Sequence, residues 1–563
     1  MRHIIFEQNT AYPVAILIKT TSFVKNELVR NYITPLENLG VGQSEVIAFD
    51  VEYNESGKAP VKFINEYLTE LLPVLKDNDV QYIYVADANY FKVLTKSPKA
   101  DALYGYVVPC AIKGYEHMKV VLGVNYQALL YNTELESKLL RGLQAIVNDA
   151  SGSYEQPGSS IIKFEEYPKS LADISVWLQQ LHRYEELTFD IEAFSLRFWE
   201  AGIGTITFCW NKHEGIAFPV DYVETVLPNG QPGGMSSPDV FTRNVLREFF
   251  ETYKGTLTGH YTPYDIKVLI YTLWMDTPTD HAGMLKGLNV LCKKFNDTKI
   301  IAYLALNSTA RNSLSLKDLS QEYSGNYAMT EINDITQIPL DKLLRYNLVD
   351  GLSTWFTKDK YWPRMVADKQ LDIYKTMMMP SQKVIIYMEL CGMPMNGNSI
   401  TVLTGTLKTK ADKLVAAVMQ TKEIQDFTLL LQEDAMNIAN AKLKVKQHPL
   451  SHFSDVTFNP NSNIQLQKLL YEFMQLPVID LTDSKQPATG GETLKKLINH
   501  TPNIKYREII QNLIDYMSVA TINSNFIPAF NRCFVKDDGW HYLHGSFNLG
   551  GTVSGRLSSS DPK

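Results

Sequence analysis

Two carboxylates stand two positions apart, at Asp190 and Glu192, in the run 187–193, whose composition predicts a strand. Side chains at alternate positions of a strand share one face. Two negative charges on one face repel each other unless a cation lies between them, and all-oxygen ligands suit hard cations such as Mg²⁺ or Mn²⁺. The pair therefore indicates a metal site, although a solvated strand end has the same spacing.

Three further side chains could complete such a site. Pro263 predicts the start of a helix with Asp265 in its first turn, where an acid is also a common partner of the helix dipole. Tyr346 and Asp350 are four residues apart and share one helical face, as many surface pairs do. The order DxE, D and YxxxD within one domain-sized span favours a joint site over these separate interpretations.

This order resembles the DEDD exonucleases of the DnaQ-like, RNase H-related fold, in the subclass that contains tyrosine. The resemblance covers about residues 161–365. It extends to a segment with Asp297-Thr298, Tyr303-Leu304 and Asn307-Ser308, and to a segment 313–319 followed by Tyr323. The resemblance implies that two divalent metal ions, Mg²⁺ or Mn²⁺, assist hydrolysis of a phosphodiester at a 3′ end.

The same resemblance assigns a role to each acid. Asp190 would bridge both ions, while Glu192 and Asp350 would complete the first ion's ligands. Asp265 would hold the second ion, in part through water. Tyr346 would orient the attacking water together with Glu192.

Three neighbouring positions concern the substrate strand. Leu196 matches a family position that wedges against the terminal base, and a core leucine fits the sequence equally well. Tyr261 stands where related polymerases usually have asparagine, and Ala193 where they have threonine or serine. These departures affect the expected rate and strand contact more than the existence of the site.

Beyond the exonuclease-like region the chain resembles the thumb and the start of the palm of family A DNA polymerases. The segments that carry this resemblance are 379–395, 458–470, 487–494 and 551–562. Arg556 matches an arginine that touches the minor groove of the primer–template duplex. Lys442, Lys444 and Lys446 are candidates for phosphate contacts, and a solvated edge explains them equally well.

The family's catalytic palm aspartates and its nucleotide-binding helix fall after the last residue of this sequence. We therefore expect polymerisation only with a separate chain that supplies palm and fingers. The expected DNA partners are a single-stranded 3′ end and a primer–template. Two alternatives stay open: a noncatalytic DNA-binding scaffold, and a freestanding nuclease of the RNase D or Werner-like kind.

The fold class expected from these patterns is multidomain, with α/β and α parts. The predicted domains are an N-terminal α/β domain of unknown role (1–160), an RNase H-like exonuclease domain (161–365), a helical thumb-like region (366–535) and the start of a palm (536–563). In the first domain, 46–49 and 82–86 predict strands. The run 133–147 predicts a helix with a capping box from Thr133 to Glu136, and 151–160 predicts a linker.

Local patterns define the later elements. The runs 204–210 and 215–220 predict partners of the acid-bearing strand, 228–238 predicts a turn-rich insertion, and helices should dominate 238–363. Residues 374–529 are mainly helical in pattern, with one long helix over 408–431. Strand-like alternation returns from residue 540.

Composition limits the class of protein. A formal net charge of −7 excludes a globally basic nucleic-acid binder, so DNA affinity must come from local lysine clusters or bound cations. The five cysteines lack CxxC spacing and indicate buried thiols in a reducing compartment. Neither a signal region nor an apolar run of membrane-spanning length is visible, which predicts the cytoplasm of a bacterial or phage-infected cell and no membrane partner.

Overall fold

The computed structural model describes residues 1–55, 57–306, 312–329, 332–443, 447–482 and 485–561. Asn307, Ser308, Lys444 and Lys446, which the sequence analysis singled out, lie outside these described residues. The chain divides into two compact units. The first is Met1–Tyr387 with Leu549–Leu557, and the second is Met388–Asn548 with the residues from Ser558 onward.

The N-terminal part of the first unit is a six-stranded sheet with helices on both faces. Its strands are β1 (His3–Ile5), β2 (Val14–Lys19), β3 (Val46–Val51), β4 (Tyr82–Val85), β5 (Val107–Pro109) and β6 (Lys119–Leu122), in the order β1-β3-β2-β4-β6-β5. Its helices are α1 (Lys25–Leu28), α2 (Thr34–Asn38), α3 (Val61–Asp77), α4 (Ala88–Thr95) and α5 (Leu135–Ala150). The strands β3, β2, β4 and β6 are parallel and almost wholly buried, because helices cover both faces.

The strands predicted at 46–49 and 82–86 are confirmed as β3 and β4. The helix predicted at 133–147 is confirmed as α5, but the capping box is wrong. The helix begins at Leu135, and the preceding Glu134 makes no side-chain cap. The side chain of Asn132 instead accepts a hydrogen bond from the Glu134 N–H at 3.1 Å, which displaces Thr133 from the capping position.

The second sheet of the first unit holds the predicted acid-bearing strand at its centre. Its strands are β7 (Phe164–Glu166), β8 (Glu186–Glu192), β9 (Thr205–Asn211), β10 (Glu214–Pro219), β13 (Thr256–Gly259) and β14 (Phe295–Asp297), in the order β14-β13-β8-β9-β10-β7. The strand β8 is parallel to β13 and antiparallel to β9, which pairs in turn with β10. Both predicted strands are confirmed, but only β9 pairs with β8, and the prediction of β10 as a direct partner of β8 is wrong because β9 lies between them.

Helices follow these strands, as the sequence predicts. They are α6 (Leu171–Leu181), α7 (Phe198–Ala201), α8 (Val240–Thr252), α9 (Pro263–Leu273), α10 (His281–Leu291), α11 (Thr298–Ala305), α12 (Leu316–Ser324), α13 (Leu340–Ala367), α14 (Leu371–Ile373) and α15 (Met379–Cys391).

The turn-rich insertion predicted at 228–238 is wrong in part, because much of it is paired. A hairpin of β11 (Tyr222–Val226) and β12 (Pro232–Ser236) brackets a short loop. Gly234 is required in β12, since a Cβ there would lie 2.0 Å from the Tyr222 ring. The glycines therefore serve close packing in a strand as well as a turn.

The second unit is mainly helical. Its helices are α16 (Gly397–Met419), α17 (Lys422–Asn440), α18 (Asn463–Gln467), α19 (Gly491–Leu497), α20 (Ile504–Thr521) and α21 (Ile527–Asn531). Its strands are β15 (Met393–Met395), β16 (Phe534–Val535), β17 (His541–Leu543), β18 (Ser546–Asn548) and β19 (Ser558–Asp561). The single helix predicted over 408–431 is wrong, because Thr421 takes an extended backbone (φ −70°, ψ 142°) that separates α16 from α17.

The five cysteines are free thiols, and Cys110, Cys209 and Cys292 are buried. Among the helices formed by described residues, none combines the length and the apolar character that crossing a bilayer requires.

Candidate active site

The strand β8 presents Thr188, Asp190 and Glu192 to the face that packs against α13. On this face the Thr188 hydroxyl donates a hydrogen bond of 2.8 Å to the Gly351 carbonyl. Both acids are only partly exposed. The interpretation of Asp190 and Glu192 as a solvated strand end is therefore wrong.

The helix α13 carries Tyr346 and Asp350 one turn apart, as their spacing predicts. Asp350 is buried, so the alternative of an ordinary surface pair is wrong. The next residue, Gly351, lets the helix approach β9 closely. A Cβ at this position would lie 2.8 Å from Cys209 Sγ and 2.9 Å from Thr207 Cγ2.

The helix α9 begins at Pro263, as predicted, and holds Asp265 buried in its first turn. The loop before it is fixed by Asp297, a buried residue at the end of β14. This carboxylate accepts hydrogen bonds from the backbone N–H groups of Tyr261 (3.1 Å) and Thr262 (2.9 Å). Asp297 therefore determines where α9 begins and how Asp265 is presented.

Three of the acids converge on one point. Asp190, Glu192 and Asp350 each offer a carboxylate oxygen, and these atoms all lie within 4.8 Å of one another. They come from a strand and a helix that are far apart in the sequence, and all are at least partly buried. An all-oxygen set of this density fits a hard divalent cation such as Mg²⁺ or Mn²⁺.

Burial and mutual repulsion shift the ionisation of this set. Burial raises the pKa of Asp190 well above its usual value, and the negative charge of Asp265 adds most to that effect among the neighbours. Burial, and after it the negative charge of Asp350, also raises the pKa of Glu192 well above its usual value. Burial raises the pKa of Asp350 to about 6, and a hydrogen bond from Tyr327 opposes this rise. Asp265 thus belongs electrostatically to the cluster.

Asn347 orients Asp190 and was not predicted. Its side-chain N–H donates a hydrogen bond of 2.8 Å to Asp190 Oδ2, and its amide oxygen accepts one of 3.1 Å from the Thr205 hydroxyl. Asn347 is fully buried. A signal was present in the sequence, because Asn347 stands between Tyr346 and Asp350 on the helix whose face had been assigned to the site.

Two further residues reach the site from α12 and the turn that follows it. The Tyr327 hydroxyl donates a hydrogen bond of 2.6 Å to Asp350 Oδ1, and its ring centre lies 5.8 Å from that of Tyr346. Lys317 Nζ lies 5.3 Å from the centre of the Tyr346 ring, and its positive charge lowers the pKa of Asp350. Lys317 lies in the segment 313–319 that the resemblance includes, but no role was predicted for it, and Tyr327 lies outside every predicted motif.

The structure brings the four acids and Tyr346 into one site, and it leaves those predicted DNA-contact residues that it describes on the surface. Leu196 is 92% exposed, so its interpretation as a core leucine is wrong. It follows β8 in a loop that Tyr264 holds by donating a 2.6 Å hydrogen bond to the Ser195 carbonyl. Lys442 is exposed just after α17. Arg556 is exposed in the segment Leu549–Leu557 of the first unit.

Comparisons with known proteins show similarity to DNA polymerases. Residues 430–563 match the family model described as DNA polymerase family A. The chain is 22% identical to a DNA polymerase of Bacillus phage SP01 over 371 residues, which cover 62% of this chain and 37% of that protein. It is 23% identical to DNA polymerase I of Pseudomonas aeruginosa over 448 residues, covering 78% of this chain and 42% of the relative.

A solved structure is also similar in part. The POL domain of Pol1 from M. smegmatis, in complex with DNA primer-template and dNTP, aligns with a TM-score of 0.44 and 15% identity over 71% of this chain and 55% of that one. The chain spans about two fifths of the length of the two polymerases with the longest alignments described above. The chain is thus similar to family A DNA polymerases over residues 430–563, and more weakly to two DNA polymerases over longer stretches.

Proposed function

We propose that the acid site of the first unit is a 3′–5′ exonuclease that removes nucleotides from DNA 3′ ends, in a proofreading role beside a family A polymerase. The convergence of oxygens from Asp190, Glu192 and Asp350 within 4.8 Å carries this proposal. The proposal includes an RNase H-like assignment for the second sheet, whose central strand carries two of these acids.

The residues divide the work between holding cations and orienting reactants. Asp190, Glu192 and Asp350 would hold one divalent ion, and Asp265 with Asp190 would hold a second. When bound, such ions lower the pKa of water and neutralise negative charge on the reacting phosphate. Asn347 keeps Asp190 in a single orientation by its 2.8 Å hydrogen bond.

Tyr346 acts through its neutral hydroxyl. Burial, with the nearby charge of Asp350 next in importance, raises the pKa of Tyr346, so the phenol stays protonated at neutral pH. A neutral phenol both donates and accepts hydrogen bonds. It therefore orients the attacking water and does not serve as the base that deprotonates it.

The direct test follows a 5′-labelled single strand of DNA in the presence of Mg²⁺. The unmutated chain should shorten it from the 3′ end, and the double variant Asp190→Ala, Glu192→Ala should lose this activity. A matched control is Asp341→Ala, Glu248→Ala, which removes two exposed acids of the same region. The control should shorten the strand at the unmutated rate.

The same assay separates the alternatives. If the unmutated chain does not shorten DNA but binds it, the noncatalytic scaffold takes the place of the exonuclease. If it shortens an RNA strand faster than the matching DNA strand, the nuclease is of the RNase D kind. A block at the 3′ end that leaves shortening unchanged would contradict the proposed polarity.

A second function is favoured by the match of residues 430–563 to the polymerase family. We propose that this region binds primer–template DNA, with exposed Lys442 and Arg556 as phosphate or groove contacts. Binding of a labelled primer–template duplex should weaken in Lys442→Ala, Arg556→Ala. Unchanged affinity in this variant would contradict the assigned contacts.

A further inference from the structure

The N-terminal α/β part of the first unit is firmly attached to α12, the helix that precedes Tyr327. Gln321 on α12 is buried, and its amide donates a hydrogen bond of 2.9 Å to the Tyr104 carbonyl. Arg141 of α5 reaches the same helix, with hydrogen bonds of 2.8 Å to Gln321 and 2.6 Å to Glu322. These partly buried contacts hold the two parts together beside any surface that both form.

The two parts share a cavity of about 300 Å³ beside this junction. Lys92 and Lys99 line it from the N-terminal part, and Lys317 lines it from α12. Asp101 and Asp318 line it as well, so lysines outnumber acids by three to two. We call this cavity the lysine cleft.

Lys317 links the lysine cleft to the acid site. Its ammonium group lies 5.3 Å from the centre of the Tyr346 ring, while its side chain also lines the cleft. Its charge lowers the pKa of both Glu192 and Asp350, which places it within electrostatic range of those carboxylates. A strand whose 3′ end reaches the acids could therefore continue along positive charge into the cleft.

We propose that the lysine cleft binds the phosphate backbone of the single-stranded DNA whose 3′ end enters the acid site. This inference rests on the proposed exonuclease function and gives the N-terminal α/β part a role in holding substrate. Lysine side chains that follow a backbone bind strands without reading sequence, and each phosphate contact contributes to the salt dependence of binding. Lys92 and Lys99 are exposed and belong to the N-terminal part, whereas the acids lie on β8, α9 and α13, so we expect that their charges can be changed without altering the chemistry.

The test compares a long strand with a minimal substrate, using the full chain and the variant Lys92→Glu, Lys99→Glu. With EDTA present, fluorescence anisotropy measures affinity for a strand of about 16 nucleotides, a length typical of single-strand sites. The variant should bind this strand about tenfold more weakly, and its logarithmic salt slope should fall by about 1.4, since two phosphate contacts are lost. With Mg²⁺ present, its KM for the strand should rise while kcat stays unchanged.

The minimal substrate is the p-nitrophenyl ester of thymidine 5′-monophosphate, whose single phosphate is the one that is cleaved, so it offers no further backbone phosphate to the cleft. The variant should hydrolyse it at the unmutated rate. A matched control, Lys62→Glu, Lys76→Glu, reverses two exposed lysines on α3 of the same part and should leave strand affinity unchanged.

Each result has one meaning. Equal strand affinity and salt slope in the cleft variant and the unmutated chain would overturn the lysine cleft, as would an equal loss in the control pair. Loss of minimal-substrate hydrolysis in the variant would also overturn it, because the lysines would then act on the acid site itself. If the unmutated chain cleaves neither substrate, the exonuclease proposal fails, and the anisotropy measurement still decides whether the cleft binds DNA.

Discussion

The two six-stranded sheets of the first unit contain the same local pattern with opposite surroundings. The strand β3 ends in Phe49-Asp50-Val51 followed by Glu52, and β8 ends in Phe189-Asp190-Ile191-Glu192. Asp50 is almost fully buried. It accepts hydrogen bonds from the side-chain Nε of Arg2 (2.9 Å) and from the backbone N–H of Arg2 (2.7 Å). Asp190 instead has Asp265, Asp350 and Glu192 as its charged neighbours.

This difference shows that a DxE pattern on a strand does not define a metal site. In the first sheet the chain itself supplies the cation, because Arg2 neutralises Asp50. In the second sheet the acids repel one another and can be stabilised by an external cation. The partners of the carboxylate, rather than the pattern, distinguish a structural acid from a catalytic one.

Exchanging each aspartate for asparagine should separate the two roles most strongly. Asp350→Asn should slow 3′ shortening of DNA at least about 100-fold, because a charged ligand of the site is lost. Asp50→Asn should leave the rate within about twofold and lower the free energy of unfolding by about 1–2 kcal/mol, because Arg2 loses a charged partner. Shortening rates with Mg²⁺ and urea unfolding with EDTA measure the two effects.

The stability of Asp350→Asn should not fall as that of Asp50→Asn does. In EDTA this variant should be at least as stable as the unmutated chain, because one repelling charge leaves the cluster. The contrast between the sheets would break if Asp50→Asn abolished shortening, or if Asp350→Asn lost as much stability as Asp50→Asn.

A methyl group added beneath the acid site should lower stability and rate more than one added at an open position of the chain. Gly351→Ala should push α13 away from β9, because the new Cβ would lie 2.8 Å from Cys209 Sγ. We expect a loss of about 1–3 kcal/mol in unfolding free energy and roughly tenfold slower shortening, as Asp350 moves with the helix.

Gly405→Ala is the matched control for this change. Gly405 is also inside a helix, α16, but a Cβ there meets no atom within 4 Å. This variant should be more stable by about 0.5–1 kcal/mol, because alanine favours the helix. Equal stability and rates in both glycine variants would show that the approach of α13 to β9 is not tight.

Lowering the pH should change the free energy of unfolding in opposite directions through a buried histidine and through the carboxylates of the second sheet. His260 Nε2 donates to the Leu314 carbonyl (3.0 Å), and Nδ1 lies 2.9 Å from the Thr298 hydroxyl oxygen. Burial lowers the pKa of His260 to about 4. The unfolded chain therefore binds a proton between about pH 6.5 and 4 that the folded chain does not, and stability falls as pH falls through this window.

At pH 5 this difference should cost roughly 2 kcal/mol relative to pH 7. His260→Gln keeps a donor and an acceptor but cannot titrate, so its unfolding free energy should fall less on acidification. Urea unfolding at the two pH values measures this. The raised pKa values of Asp190 and Glu192 have the opposite sign, because the folded chain then takes up protons first. An identical pH dependence in both proteins would contradict the neutral, buried imidazole.

The sequence predicted the parts of the site that depend on local spacing. Strand alternation put Asp190 and Glu192 on one face, and helical spacing put Tyr346 and Asp350 on another. It could not predict Tyr327 or Lys317, because α12 and its following turn reach the site only through tertiary packing. Nor could it separate Asp50 from Asp190, since the cation at Arg2 is 48 residues from Asp50 along the chain.

Single residues that override a sequence pattern limited the prediction of the fold in the same way. The sequence pattern of 408–431 predicts one continuous helix. Only the extended backbone of Thr421 divides this run into two helices. The hairpin around Gly234 was missed because its glycines read as a turn, whereas the structure uses one of them to accommodate the Tyr222 ring. In both cases one residue's backbone or packing overrode a pattern that extended over many.

The smallest expected effect concerns Tyr261, in the loop between β13 and α9, where the resemblance described above leads us to expect asparagine. Tyr261 has a φ of 56°, a left-handed conformation that asparagine adopts more readily than tyrosine does. Its ring also lies 3.8 Å below Lys299 Nζ, an attraction worth about 0.5–1 kcal/mol when partly exposed. Tyr261→Asn should therefore change stability by less than about 1 kcal/mol, since it relieves backbone strain and loses the ring contact.

Comparison with Tyr261→Ala isolates the backbone contribution. Both variants lose the ring, but only asparagine gains the left-handed preference, so Tyr261→Asn should be the more stable of the two by about 0.5–1 kcal/mol in urea unfolding. The Asp297 carboxylate accepts the backbone N–H of residue 261 at 3.1 Å, and neither substitution removes that donor. If the alanine variant is equally stable, the left-handed backbone at residue 261 gives asparagine no advantage, and the prediction fails.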